Sequence, residues 1–561
     1  MYFMELVMGQ YSGKGPTAVW NMNPSAKGIG VSMALISLIV AIYYNVIMAY
    51  TLFYFFSSMQ TNLPWMECKD EWYQYGCVEK TTPNIPYCSF NMSVNYEKFN
   101  DTACRCFENS TFHMSSYLDP LGFNCTNTTW KGDEPVAVAQ LFFDKAVIEK
   151  APTLKIDEMG APLWKLSLCL LLSWIVVVCC LIRGVKSSGK VVYFTATFPY
   201  VILLILLVCG ATLDGALDGV IYFIVPKWEK LLDLKVWVAA AGQMFFSLSV
   251  SFGGIIMFGS YNKFSNNVYG DAMLIAVMDV VTSLIAGFVI FTTFGGMAKK
   301  LGMEVKDVAK AGYGLAFVAY PEALSQLPVP QLWSVLFFFM LFTLGLDSEF
   351  ALLETILTCI QDEFPKTRKY KSYMCVGFGI VCFFLALPCV TPAGDYVVTI
   401  MDHFGADFSV LFVATCECMA VMWVYGARRF VRDVEYMLGR PPRPVFYWLF
   451  CWVFCSPILI GLLFLYRMIA YKSPEISKGV PYPVYGQVIG WVLTVIVMSP
   501  IPAFFLYKLA KAKGSLMERL KTITTPTPAW GPNDGSDKRT LYNENLQDTK
   551  FGIDNPASPK Y

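Results

Sequence analysis

Residues 243–258, QMFFSLSVSFGGIIMF, decide how this chain is built. They sit inside an uncharged run, 236–262, long enough to cross a bilayer, for which about 20 apolar residues suffice. The centre of the run is nevertheless punctuated by Ser247, Ser249, Ser251, Gly253 and Gly254. A helix broken there leaves backbone N–H and C=O groups without partners. A bilayer tolerates that only where protein buries them or where they line a cavity. The stretch therefore predicts a discontinuous membrane helix whose broken ends face a binding site. Small residues also permit close helix packing, so the reading needs support from neighbouring segments.

The rest of the chain supplies a membrane setting. Of 561 residues, 55% are hydrophobic and 15% charged, and the mean hydropathy is +0.48. Soluble domains average about 45–50% apolar and about 25% charged. Apolar runs recur at 28–66, 166–182, 191–213, 236–262, 280–298, 323–346, 372–394, 408–427 (interrupted by Glu417), 444–466 and 479–507, ten spans after a stub at the start. The membrane domain is read as 1–510 and the polar remainder, 511–561, as a cytoplasmic tail without fixed structure. Cys68, Cys77, Cys88, Cys104, Cys106 and Cys125 crowd one loop with sequons at Asn91, Asn100, Asn109, Asn124 and Asn127. Disulfides and glycans belong outside the cytosol, so the loop 58–163 faces outward. Alternation then puts RGVKSSGK, KTRKYK, GARRFVRD and KLAKAKG inside, which agrees with the positive-inside rule. A net charge of +1 gives no reason to expect nucleic acid as a partner. No nucleophile–base pair or metal spacing points to an enzyme.

Ionisable groups at membrane depth cost roughly 2.5–3.5 kcal/mol each and mark ion or substrate paths by default. Asp279, Asp347, Glu349 and Glu417 stand out. Leu344, Asp347 and Ser348 are spaced i, i+3, i+4, which aligns a carboxylate and a hydroxyl on one helix face. Oxygen ligands without sulfur or imidazole suit a hard cation, and a single carboxylate suits a monovalent one. Gln243 and Ser247 are one turn apart, as are Asp279 and Ser283 on the next span. Together with the broken helix these groups point to an ion-coupled carrier. Glu349 falls off the Asp347 face and has no assigned role.

The stretches MELVMGQYSGKGP, AIYYNVIMAY, LPWMEC, GVKSSGKVVYFTATFPY, QMFFSLSVSFGGIIMFGSYNKFSNN, GLAFVAYPEAL, LFTLGLDSEF and VYGARRFVRDVEYMLG resemble, in order, the neurotransmitter:sodium symporters, the sodium- and chloride-coupled carriers of amines and amino acids. The resemblance implies an all-α multi-span fold, an inverted five-helix repeat working by alternating access. It implies Na+ and Cl- as coupled ions, with Ser247, Asp279, Leu344, Asp347 and Ser348 as sodium ligands and Gln243, Ser247 and Ser283 as the chloride set. It implies a substrate pocket of Tyr44, Phe246, Ser249, Phe252 and Ser348, Glu417 as the acidic half of an outer gate, and a Cys68–Cys77 disulfide. The family has twelve spans, and this chain is read as starting inside the second, lacking the first. A truncated, non-transporting partner of full-length carriers is therefore the alternative reading. Asp279 stands where most mammalian members carry asparagine, and insect nutrient amino-acid carriers resemble this chain there. Its charge is expected to replace part of what chloride brings. SLSVSFGG lacks the Gly-Pro-Gly of amine carriers and favours a small neutral amino acid as substrate, whereas GLDS is shared by amine, GABA and glycine carriers and keeps a related amine open. The implied setting is the plasma membrane, multi-pass, with lipid contact and self-association as further expectations.

Overall fold

The computed structural model describes residues 1–69, 71–72, 136–150, 159–182, 185–301, 304–308, 315–325, 327–471, 473–477 and 480–534, with the backbone of short strands between 77 and 127. The helices used below are α1 Tyr2–Ser12, α2 Lys27–Ser57, α3 Trp164–Leu181, α4 Val185–Ala211, α5 Leu234–Ser247, α6 Gly254–Tyr261 and α7 Val268–Leu301. They continue with α8 Pro330–Glu363, α9 Lys371–Ala386, α10 Phe408–Met419, α11 Ala427–Leu438, α12 Ser456–Ile469, α13 Val484–Met498, α14 Pro500–Lys511 and α15 Leu516–Thr524.

Among the described residues eight helical segments are long and apolar enough to span a membrane, and the pair α13–α14, bent by 41° at Ser499, makes a ninth. The broken pair α5–α6 occupies the expected run 236–262. Among the described residues the membrane part is helical, and strands are confined to loops, chiefly an antiparallel sheet in the loop 58–163 with Thr111–Ser115, Ala103–Glu108, Asn95–Phe99, Tyr87–Ser89 and Thr126–Asn127 in that spatial order.

Two boundaries differ from expectation for one reason. The runs 280–298 and 323–346 were delimited by their carboxylates, whereas α7 and α8 run straight through Asp279, Asp347 and Glu349. Charge costs little helix propensity. What a carboxylate needs is a partner or burial with a compensating proton, and neighbouring helices decide that. The tail also departs from expectation: α15 opens with a capping box at Ser515 and Glu518, and the chain stays packed as far as Asp534.

Close backbone approach positions the site. α8 lies along α2, with Gly345 against the Met48 side chain. α1 lies along α6, where a Cβ on Gly9 would stand 2.1 Å from the Ile256 carbonyl oxygen. Only a residue without a side chain lets α1 approach the second half of the broken helix this closely.

Candidate ion and substrate site

α5 ends at Ser247 and α6 begins at Gly254. Between them Ser249, Ser251 and Gly253 all have left-handed backbone, with φ of 50°, 65° and 84°. Serine in that region costs about 1–3 kcal/mol and persists only where surroundings hold it. Three helices do so. The Ser251 N–H donates to Glu5 Oε1 of α1 at 2.8 Å, and Ser251 Oγ donates to Glu417 Oε2 of α10 at 2.9 Å. Ser37 Oγ of α2 donates to the Phe252 carbonyl at 2.7 Å. Glu5, Ser251 and Glu417 are fully buried.

Glu417, expected at an outer gate, lines none of the three cavities described here. Its carboxylate holds the unwound backbone from within the bundle. An acidic group that does line a cavity is Asp402, whose Oδ1 accepts from the Tyr43 hydroxyl at 2.8 Å. That cavity, about 410 Å³, is lined by Asp402, Gln243, Phe246, Phe252 and Arg467 among others. Glu417 drew attention because it interrupts an apolar run, while Asp402 lies before that run and reads as loop. Glu5 was missed because it sits in a short stub; a carboxylate in MELVMGQ was the available signal.

A second cavity, about 190 Å³, shares Phe246 and Phe252 with the first and brings Tyr44, Ser249 and Ser348 together with them, the whole expected substrate set, with Ser37, Ser247 and Thr355 also on its wall. Tyr44 of α2 and Ser348 of α8 share the wall of this cavity. None of the described lining residues is charged. A third cavity, about 450 Å³, shares Ser247, Ser249, Gly254 and Ala351 with it and adds Asp279 and Thr282.

Both candidate cation carboxylates touch hydroxyls. Ser247 Oγ donates to Asp279 Oδ1 at 2.5 Å. Thr195 Oγ1 of α4 donates to Asp347 Oδ1, also at 2.5 Å. Thr195 was not foreseen; it lies in the stretch GKVVYFTATFPY, where a threonine on an apolar face gives no distinctive signal. Leu344 and Ser348 flank Asp347 on α8 as the spacing required. Of the expected chloride set, Ser247 engages Asp279, Gln243 lines the cavity that holds Asp402, and Ser283 lies one turn after Asp279 on α7. Cys68 is disulfide-bonded. The side chain of Cys77 and sequons Asn91, Asn100, Asn109 and Asn124 lie outside the described residues, as does the Asn127 side chain. Glu349 is fully buried at the α2–α8 face, and neither carboxylate oxygen has a hydrogen-bond partner among the described residues.

A helix unwound at mid-bundle, a small uncharged cavity at the break, and carboxylate–hydroxyl pairs beside it define a membrane carrier with a central binding site. The chain matches the sodium:neurotransmitter symporter family over residues 1–131 and 123–512 and belongs to it. It is 42% identical over 541 residues to the human sodium- and chloride-dependent neutral and basic amino acid transporter B(0+), covering 95% of this chain and 81% of that one. The mouse counterpart is 41% identical over the same length and shares. The Xenopus laevis sodium- and chloride-dependent glycine transporter 1 is 41% identical over 535 residues, 95% of this chain and 80% of the relative. Each is named as a transporter, and the reading of a non-transporting partner gains no support.

Proposed function

We propose that the chain carries a small neutral amino acid across the plasma membrane, driven by sodium with chloride as co-ion. The observation that carries this reading is the 190 Å³ cavity at the helix break. Drug-sized pockets run about 300–1,000 Å³, so this one suits a small ligand. Its wall offers the hydroxyls of Tyr44, Ser37, Ser249, Ser348 and Thr355 and two phenylalanine rings, but no charge among the described residues. A zwitterion of zero net charge fits that wall better than a cationic amine, which needs a carboxylate counter-charge. The relatives named for neutral and basic amino acids and for glycine support the same class.

In this reading Asp347, with Leu344 and Ser348 on its face and Thr195 opposite, holds one sodium ion. Asp279 and Ser247 hold another. Phe246 and Phe252 separate the central cavity from the outer one, and Asp402 provides the acidic group of the outer gate. Uptake of labelled glycine, alanine and leucine by cells expressing the chain, against labelled dopamine and GABA, tests it. Sodium-dependent uptake of one of the amino acids is expected; uptake confined to the amine or to GABA would refute the substrate class.

A further inference from the structure

The inner end of the molecule carries a dock for its own tail. After α15 the chain reads TTPTPAWGPND, residues 524–534. Trp530 is 5% exposed, with its ring 5.4 Å from Tyr11 and 5.9 Å from Tyr425, and its Nε1–H donates to the Tyr425 hydroxyl at 3.0 Å. The Asn533 N–H donates to the Tyr11 carbonyl at 2.9 Å, and the Tyr436 hydroxyl donates to Asp534 at 2.7 Å. Tyr11 belongs to α1, and Tyr436 to α11. The tail therefore ties α1 and the turn after it to α11, and any movement that separates those elements must first release it.

One residue of the tail is poorly placed to accept charge. The Thr527 N–H donates to the Asn21 carbonyl at 2.9 Å, and Thr527 Oγ1 donates toward the Asn21 carbonyl and Oδ1 atoms, both at 3.3 Å. The hydroxyl thus faces acceptors. Thr527 is followed by Pro528 and preceded by Pro526. Proline on both sides keeps the segment out of a helix and in the extended form that a kinase cleft takes. The basic loops place this end of the chain in the cytosol, where ATP is present.

We propose that Thr527 is a phosphorylation site for a proline-directed protein kinase and that its modification releases the tail from the α1–α11 dock. The kinase moves the γ-phosphoryl group of ATP to Thr527 Oγ1. The hydroxyl proton goes to the kinase's base, an O–P bond forms, the bond from the γ-phosphorus to the β–γ bridging oxygen breaks, and ADP leaves. The product carries a charge of about −1.5 to −2 and only acceptor oxygens toward Asn21. It loses the bonds the hydroxyl made and sets negative charge against the Asn21 carbonyl and Oδ1 oxygens. Lys14, which donates to the Ala529 carbonyl at 2.7 Å, is a cation at the dock that opposes release.

The purified full chain, incubated with a proline-directed kinase and Mg-ATP, tests this by mass spectrometry of the tail peptide and hydrogen exchange over 525–534 and 11–21. W530A supplies the exchange rate of an undocked tail. Phosphate on Thr527 is expected, with exchange over 525–534 rising about tenfold or more toward the W530A rate. T527A should keep the unmodified protection, retain the Thr527 backbone bond, and show no rise with kinase. Absence of phosphate on Thr527 in the undocked W530A chain, label confined to Thr525, or phosphate on Thr527 with the tail still protected through Lys14 would each overturn the proposal.

Discussion

Replacing Asp347 by asparagine isolates the charge proposed to hold sodium. Asparagine has the same shape, and its carbonyl oxygen can still accept from Thr195 Oγ1, so the α4–α8 contact survives. What is lost is attraction for a monovalent cation. At about 4 Å and an effective dielectric constant of about 20, that attraction is ~4 kcal/mol. Asp347 is only half-buried, and solvent screening roughly halves the figure to ~2 kcal/mol, about thirtyfold in affinity. The assay is labelled amino-acid uptake over graded sodium concentrations, corrected for surface protein by biotinylation. The sodium concentration for half-maximal uptake should rise about thirtyfold in D347N, with a smaller rise in T195V, which removes only the orienting hydroxyl. A D347N carrier with the sodium dependence of the parent would refute the assignment of Asp347 to the cation.

Further expectations follow from other contacts. Glu417→Ala strips the Ser251 hydroxyl of its acceptor inside the bundle and should lower the stability of the detergent-solubilised protein by about 1–3 kcal/mol, read by thermal unfolding, whereas E417Q keeps an acceptor and should stay near the parent. Gly9→Ala puts a methyl group 2.1 Å from the Ile256 carbonyl oxygen and should cost about 1–3 kcal/mol by the same measurement. Asp279→Asn removes a fixed negative charge beside Ser247; gluconate replacement of chloride should then depress uptake by the variant more than uptake by the parent.

Much of this arrangement was legible in the sequence, and the unread part has identifiable causes. Glycines and serines at 247–254 announced the break because backbone weakness is local and compositional. Tyr44, Phe246, Ser249, Phe252 and Ser348 fell into one cavity because family resemblance carries spatial information that spacing lacks. The partner of Glu417 was not legible because depth along a span says nothing about which neighbour a side chain meets; only the fold brings Ser251 of the break to it. Thr195 was invisible for the same reason, whereas Glu5 left a signal, a carboxylate in MELVMGQ, that the shortness of the stub obscured. The tail read as unstructured because its composition is polar, yet a single tryptophan supplies enough apolar area to dock it.

Sodium coupling is tested most directly by reconstituting the purified chain in liposomes and imposing an inward sodium gradient with labelled glycine or alanine outside. Accumulation above the equilibrium level is predicted, abolished when choline replaces sodium and when the gradient is collapsed. Uptake that only equilibrates, or that proceeds equally without sodium, would contradict it.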